Sequence, residues 1–255
     1  MPEWDDRSLT DEAAYTAART DEWLWRRARE LGVSRRQLLK LAAAAGGSVL
    51  LGRQASGIAR AQAASQAQAP QAPLVVKPTP PELFVDFGSN KEMRWEAMYG
   101  RGYLVPNELF FVRNHSRTPL VDVAQWRLRI EGSGVRRPIE LSYDDILAMP
   151  SVSVIRYVEC AGNGRSFFQQ AYGRRAQGTQ WRLGAIGVAE WTGVPLREVL
   201  DRAGLKPSAR DVMPEGLDDL RVRRPMSVAK ALEEDTLPVY AMNGQPLPPD
   251  HGFPV

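Results

Sequence analysis

The chain has one cysteine, Cys160, and two histidines, His115 and His251, among its 255 residues. A single cysteine excludes an internal disulfide framework and a zinc site built from several cysteines. Two histidines leave too little material for a His-rich metal site or for a haem held by two histidines. The fold must therefore depend on a hydrophobic core. Hydrophobic residues make up 44% of the chain and charged residues 25%, a composition that is sufficient to form such a core.

The positive charge of the chain is concentrated near its N-terminus. Lys and Arg number 33 against 30 Asp and Glu, which gives a formal net charge of +3. Residues 62–255 are almost neutral, with 23 basic and 22 acidic residues. Because a nearly neutral body does not favour a polyanionic partner, the sequence predicts no nucleic-acid binding.

A pair of arginines precedes a short apolar segment near the N-terminus. Residues 34–40 read SRRQLLK, and the uncharged residues 41–52 follow them. Those 12 residues are fewer than the ~20 that span a bilayer as a helix. Alanines at 59, 61 and 63 then form the A-x-A pattern of a signal-peptidase site. The order of these three features resembles a twin-arginine export signal.

This interpretation predicts that the twin-arginine machinery exports the protein to the periplasm or elsewhere outside the cytoplasmic membrane. The alternative is a small amphipathic helix in which Arg35 and Arg36 are ordinary surface charges. We assign residues 1–61 to an N-terminal extension and signal segment. Residues 62–81, rich in Ala, Gln and Pro, are predicted to be a linker, and residues 82–255 form the globular domain.

Residue patterns within the domain predict several strands and short helices without a strict alternation of the two, so the expected class is α+β. Alternating or β-branched runs predict strands at Trp126–Ile130, Ile139–Leu141, Val152–Val158 and Val239–Met242. The third of these strands is expected to be buried, and the last to enter a tight turn at Asn243-Gly244.

Two helices have recognisable ends in the sequence. Ser142 and Asp145 form the capping pattern of a short helix. Apolar residues at helical spacing between Leu196 and Ala203 predict a second helix, with Gly204 as its C-cap.

The segment from Tyr157 to Ser166 carries the most specific chemistry. It places Cys160 at the end of a predicted strand, before a loop of small residues that is closed by Arg165. Small residues allow a bulky group to approach the backbone, and a nearby guanidinium favours the thiolate that binds metals. The alternative is a buried, inert cysteine beside a glycine turn.

Two further segments carry polar groups on rigid local structure. Phe110–His115 ends an apolar strand with Arg113, Asn114 and His115, which can donate to a phosphate or a heterocycle. Residues 243–255 are dense in Pro and Gly and would hold His251 in a fixed loop. A structural histidine and a plain rigid turn are the alternatives for these two segments.

Together the three segments resemble the molybdopterin domain of the sulfite oxidase family. The resemblance extends from about Glu82 to Val255, and its five blocks occur in the family's order. These blocks are Cys-Ala-Gly-Asn-x-Arg-Ser, Arg-Asn-His, Trp-Arg-x-Gly-Ala-Ile, Glu-Gly-Leu-Asp and Asp-His-Gly-Phe-Pro-Val. The fold that this implies is a sulfite oxidase-type molybdopterin-binding domain, with mixed sheets and short helices.

The resemblance implies a molybdenum–molybdopterin cofactor and a role for each of several residues. Cys160 would be the protein thiolate on molybdenum. Arg113 and Arg165 would face the substrate anion, and Trp181 would form a wall of its pocket. The residues expected to hold the cofactor are Arg113, Asn114, His115, Cys160, Asp218, whose carboxylate would hold the pterin, and His251, which would reach the cofactor phosphate.

The activity that the resemblance implies is oxygen-atom transfer that oxidises sulfite to sulfate. Electrons would leave to a separate acceptor such as a cytochrome c, since no haem is expected in this chain. Gly164–Phe168 also resembles the bacterial sulfane dehydrogenase subunit of thiosulfate-oxidising systems. Trp181–Ile186 and Asp250–Phe253 are more similar to sulfite oxidase itself. A third possibility is an exported, non-catalytic fragment that binds anions or a partner without molybdenum.

Members of the family continue beyond the block that ends at Val255. Their continuation includes an arginine, further pocket residues and an immunoglobulin-like dimerisation domain, which the resemblance leads us to expect is absent from this chain. The expectation is therefore a domain that is incomplete at its C-terminus and exposes apolar surface. A homodimer is expected only for a full-length form.

Overall fold

The structure, a computed structural model, describes residues 73–255, which belong to a compact unit spanning Ala72–Val255. The predicted signal segment at 1–61 and the first part of the linker lie outside the described residues. Within the described part, no helix is both long enough and apolar enough to cross a membrane.

The domain contains many short strands, which form several small sheets. They are β1 (Phe84–Phe87), β2 (Asn90–Met93), β3 (Val112–Arg113), β4 (Leu128–Ile130), β5 (Ile139–Leu141), β6 (Val152–Glu159), β7 (Ile186–Gly193), β8 (Asp211–Val212), β9 (Met226–Ser227), β10 (Val239–Met242) and β11 (Gln245–Pro246). Their orders are β1-β2-β3, β11-β10-β7-β6, β4-β5 and β8-β9, and each neighbouring pair is antiparallel.

The helices are short and lie between the strands. They are α1 (Tyr143–Leu147), α2 (Phe168–Tyr172), α3 (Leu196–Ala203) and α4 (Val228–Ala231), with 3-10 helices at Trp95–Met98, Arg165–Phe167 and Pro249–His251. The predicted α+β class, with sheets and short helices, is confirmed.

The predicted helix ends are confirmed by their hydrogen bonds and dihedral angles. At the start of α1, Asp145 N–H donates to Ser142 Oγ at 3.1 Å, and Ser142 N–H donates to Asp145 Oδ2 at 2.8 Å. This reciprocal pair is a capping box. Helix α3 ends at Ala203, and its C-cap is Gly204, whose φ of 72° lies in the left-handed region that favours glycine.

Strand β6 has the predicted position, but the expectation that it is buried was wrong. Most of its residues are exposed, and Tyr157 is 66% exposed. The strand is at the edge of its four-stranded sheet and pairs only with β7 among the described residues. Apolar composition predicts the strand, but burial depends on what covers it.

Two hydrophobic clusters form the core, and the larger one lies behind the candidate site. Its buried members include Phe110, Phe111 and Trp181, with Cys160 packed against them. The smaller cluster joins α1 and α3 through residues such as Ile146 and Val199. The larger cluster therefore supports the segments that carry the predicted chemistry.

Candidate functional site

Cys160 follows the last residue of β6 and begins a tight loop. Its N–H donates to the carbonyl of Ala185 at 2.9 Å, and its carbonyl accepts from the N–H of Asn163 at 2.8 Å. The Gly162 N–H lies 3.5 Å from Cys160 Sγ. The thiol is free and half-buried. A backbone donor is therefore directed at the sulfur from within the same loop.

The segment from Trp181 to Ala185 holds the loop after Cys160 in place. Gly164 N–H donates to the carbonyl of Arg182 at 2.5 Å, and Ser166 N–H donates to the carbonyl of Trp181 at 3.0 Å. The Trp181 side chain is only 1% exposed. The structure therefore brings Cys160 and Trp181 together, with the indole packed in the core behind the loop.

Arg165 lies between two loops. Its Nη1 donates to the carbonyl of Thr179 at 3.3 Å. A methyl group at Gly162 would come within 2.7 Å of the guanidinium, and one at Gly178 would come closer still. A side chain at either position would have to displace the guanidinium, which is the flexible end of Arg165. The guanidinium joins the Cys160 loop to the neighbouring loop, and its other N–H groups are donors of the kind that bind an anion.

The Arg113–His115 segment leaves β3 beside β2. Asn114 N–H donates to Asn90 Oδ1 at 3.0 Å, and Asn90 Nδ2 donates to Thr179 Oγ1 at 3.2 Å. Arg113 is paired with Asn90 in the register of β2 and β3. Asn90 therefore connects this segment to the residue whose carbonyl accepts from Arg165.

His251 is held against the strand that carries Arg113. Its Nε2 lies 3.1 Å from the carbonyl of Phe111, and its ring contacts Phe110 edge-on with centroids 5.4 Å apart. The carbonyl can only accept, so we assign the proton to Nε2. Nδ1 is then a buried acceptor with no hydrogen-bond partner among the described residues. Burial, followed by the charge on Lys77, lowers the pKa of His251 to about 4.

The carboxylate of Asp250 joins three segments around His251, a role that the sequence did not suggest. It is 7% exposed and accepts from the backbone N–H groups of Val76 and Lys77 and from the hydroxyl of Thr118. Thr118 in turn accepts from Asn114 Nδ2 at 2.7 Å. Part of the predicted linker is thus fixed to the domain, beside two residues of the candidate site.

Lys77 is half-buried next to Asp250. Its Nζ donates to the carbonyls of Asn107, at 3.2 Å, and Phe110. Burial lowers the pKa of Lys77 to about 8, although the charge of Asp250 acts in the opposite direction. A pKa of about 8 leaves Lys77 mostly protonated at neutral pH. Its positive charge then lies beside His251 and makes protonation of the imidazole less favourable.

Asp218, which was predicted to hold the cofactor, makes its hydrogen bonds within its own loop. Its carboxylate accepts from the backbone N–H groups of Leu220 at 3.2 Å and Val222 at 3.1 Å. Gly216 passes so close that a methyl group there would lie 2.5 Å from Asp218 Oδ1. In this structure the carboxylate closes its own loop.

The polar residues of β2 are site residues that sequence reasoning missed. Asn90 and Glu92 are polar, so the pattern that identifies buried strands does not include them. One signal was present: Phe84–Phe87 is rich in the strand-forming residues Phe and Val, and Gly88-Ser89 follows it as a two-residue hairpin loop, with φ of 75° at Gly88. A hairpin there requires its partner strand to begin at Asn90.

A groove of about 300 Å³ lies on one face of the sheet that contains β6. It is lined by Val154, Arg156, Val158, Trp191, Asp235, Leu237, Val239, Leu247 and His251. Cys160 is not among these lining residues. Residues 73–255 also contain no group of three His, Cys, Asp or Glu side chains that could hold a metal ion. A metal at Cys160 would therefore need its other ligands from outside this set.

Comparisons with known proteins find a family model and several relatives that match this chain. A family model described as the oxidoreductase molybdopterin binding domain matches residues 115–255. The chain is 40% identical over 162 residues to mitochondrial sulfite oxidase of Mus musculus, covering 60% of this chain and 29% of that protein. It is 34% identical over 209 residues to the nitrate reductase [NAD(P)H] of Hordeum vulgare, covering 77% of this chain and 22% of that protein.

A solved structure shares the fold. The sulfane dehydrogenase SoxCD from Paracoccus pantotrophus matches with a TM-score of 0.57 and 26% sequence identity, covering 75% of this chain and 50% of that chain. The chain spans less than a third of the length of the two curated relatives described above.

Proposed function

The chain belongs to the oxidoreductase molybdopterin-binding domain family, and from this we propose that it binds molybdopterin and oxidises sulfite to sulfate. The observation that carries the proposal is the single cysteine at the end of β6, with an arginine held over its loop. The 40% identity to a sulfite oxidase supports sulfite as the substrate.

The residues present fit the cofactor in three respects. The Cys160 thiol is half-buried and faces a backbone N–H donor. The Arg165 guanidinium lies against the backbone of the same loop at Gly162. His251 Nδ1 is a buried acceptor that lacks a partner among residues 73–255, as expected where a ligand donates a hydrogen bond.

These positions suggest a separate role for the cofactor and for each residue around it. When bound, the molybdenum cofactor supplies the oxygen-atom transfer and accepts the two electrons of the reaction. Cys160 would hold the metal through its thiolate, while Asn114, His115 and His251 would hold the pterin part, with Asp218 as a further candidate. Neutral His251 accepts at Nδ1 and would therefore bind a donor group of the cofactor, or a phosphate once Nδ1 is protonated.

The substrate would be bound by guanidinium groups. Sulfite is a small anion, and the planar N–H donors of Arg165 and Arg113 match its oxygen atoms. The buried Trp181 closes the floor behind the loop and excludes water from that side. The electrons would leave to a separate acceptor, for which a cytochrome c is our candidate.

The experiment that tests this function compares substrates on the molybdopterin-loaded chain. We expect sulfite to reduce ferricytochrome c, with sulfate as the product measured by ion chromatography. A tungsten-loaded preparation of the same chain is the control, and it should be inactive. A molybdopterin-loaded chain that turns over none of the sulfur substrates offered would contradict the proposal.

A sulfane dehydrogenase is the second candidate, favoured by the structural match to the Paracoccus pantotrophus protein. In the same assay, this enzyme would oxidise sulfane sulfur on a carrier and leave free sulfite unused. A non-catalytic, exported anion-binding fragment would contain no molybdenum after expression with the cofactor pathway. Metal analysis therefore separates the third candidate from the first two.

We also propose export by the twin-arginine route, to the periplasm or outside the cytoplasmic membrane. The support is the order of paired arginines, short apolar segment and A-x-A pattern in the sequence. An Arg35→Lys, Arg36→Lys variant should stay in the cytoplasm while the unchanged chain is exported. Cell fractionation measures this, and equal export of the two would contradict the proposal.

A further inference from the structure

Every residue of β2 is buried, although three of its four side chains are polar or charged. Asn90 and Lys91 are 9% exposed and Glu92 is 3% exposed. A buried polar group without a partner destabilises the fold, so such groups are retained where they make specific contacts. The partners of β2 therefore show what the strand does.

The side chains of β2 alternate between two faces. Lys91 points to one face, where its Nζ pairs with Asp86 of β1 at 2.6 Å. Asn90 and Glu92 are two residues apart and therefore share the opposite face. Both of them contact the segment at 179–184, which also contacts the loop after Cys160.

The contacts on this shared face go mainly to backbone groups. Glu92 Oε2 accepts from Arg182 N–H at 2.8 Å, and Oε1 accepts from Gly184 N–H at 3.2 Å. The Gly184 backbone lies directly against β2, because a methyl group there would collide with the carbonyl of Met93. Asn90 donates to Thr179 and accepts from Asn114 N–H.

We propose that Asn90 and Glu92 are positioning residues that fix the distance between the Cys160 loop and the Asn114 segment. The inference rests on the proposed function, since these two segments are the ones assigned to the cofactor. Glu92 holds Arg182, whose carbonyl accepts from Gly164 in the Cys160 loop. Asn90 holds Asn114 directly and reaches Arg165 through Thr179.

The test uses two variants on the shared face and a matched control on the other face of the same strand. Glu92→Gln replaces one accepting oxygen with an amide nitrogen, which can only donate, so one of the two backbone N–H groups loses its partner. Asn90→Ala removes both of its contacts. The control, Lys91→Met, keeps a long buried side chain but loses the ion pair with Asp86.

The first measurement is amide hydrogen exchange in the cofactor-free chain. We expect Glu92→Gln to lower the protection of one of the two amides, Arg182 or Gly184, about tenfold, because the remaining side-chain oxygen can still accept from the other. Asn90→Ala should lower the protection of the Asn114 amide to the same extent. Lys91→Met should leave the protection of all three amides unchanged, after correction for any change in global stability.

The second measurement is the rate at which the loaded chain loses molybdopterin, followed by pterin fluorescence. Each shared-face variant should lose the cofactor about tenfold faster than the unchanged chain, whereas Lys91→Met should stay within about twofold. Because both variants act on one connected segment, their effects in the double variant should be less than additive. A merely structural role would make cofactor loss follow the unfolding temperature in all three variants.

The outcomes separate this inference from the proposed function. If the chain binds no molybdopterin, the proposed function fails, and the exchange data still report whether β2 holds the two segments. If it binds the cofactor and the shared-face variants behave like Lys91→Met, the positioning role is wrong. Unchanged protection of Arg182 and Gly184 in Glu92→Gln would also overturn it.

Discussion

Replacing Cys160 with serine is expected to abolish sulfite oxidation by the molybdopterin-loaded chain. The expected loss is at least about a thousandfold, which corresponds to about 4 kcal/mol of activation free energy. A serine hydroxyl is a hard and weakly acidic ligand, whereas molybdenum bound by dithiolene sulfurs takes a soft thiolate. No second cysteine exists in the chain to replace it.

The fold should survive this substitution. Cys160 makes its two main-chain hydrogen bonds through its backbone N–H and carbonyl, and the serine side chain is close in size. Ala161→Ser is the matched control, because it adds a hydroxyl at the next position of the same loop. We expect normal molybdenum content and activity in the control, measured alongside sulfite turnover. Near-normal turnover in Cys160→Ser would contradict the prediction and show that Cys160 is a structural residue and no metal ligand.

The second large effect is a loss of stability in acid that comes from His251. Its pKa is about 4 in the folded chain, against 6.5 for an unperturbed histidine. Between these values the unfolded chain binds a proton that the folded chain does not, so stability falls as the pH decreases from about 6.5 to 4. The contribution of this one group reaches about 3 kcal/mol at pH 4.

Two measurements check this prediction. The sequence contains only two histidines, so the imidazole NMR signals of His251 can be assigned by comparison with a His115→Gln variant, and they should titrate near pH 4. The free energy of unfolding of His251→Gln should depend less on pH over the same range than that of the unchanged chain. His115→Gln is the control, and it should keep the steep dependence. A titration of His251 near pH 6.5 in the folded chain would contradict the prediction.

The sequence predicts well those elements whose ends depend on local chemistry. Ser142 and Asp145 cap each other, so the start of α1 is encoded within four residues. The turn after β10 is similar, because Asn243 and Gly244, with φ of 52° and 72°, are the residues that tolerate such angles. These features need no knowledge of the rest of the chain.

Features that depend on distant segments were not predictable in the same way. The burial of β6 was predicted from its apolar residues and was wrong, because an edge position depends on which strands pair. The polar residues of β2 look exposed in the sequence, yet Glu92 is buried against Gly184, 92 residues away. Long-range contacts of this kind leave no periodic pattern in either segment.

The predicted site residues were found through motifs, and the structure adds how they are connected. Cys160, Arg165 and Trp181 meet around one loop, and Asn114 is linked to them through Asn90 and Thr179. His251 contacts the carbonyl of Phe111, next to the Arg113 strand, with Asp250 beside it in the chain. The roles of these residues toward the cofactor and substrate stay predictions.

The pairing of β6 with β7 limits how the position of the Cys160 sulfur can change. The two strands pair at consecutive positions from Val152 opposite Gly193 to Glu159 opposite Ile186, immediately before the cysteine. The register of such a pair can change only in whole residues. A shift of one residue would move the sulfur about 3.3 Å along the strand and turn it to the opposite face of the sheet. The number of residues in β6, more than their identity, therefore determines where the sulfur lies.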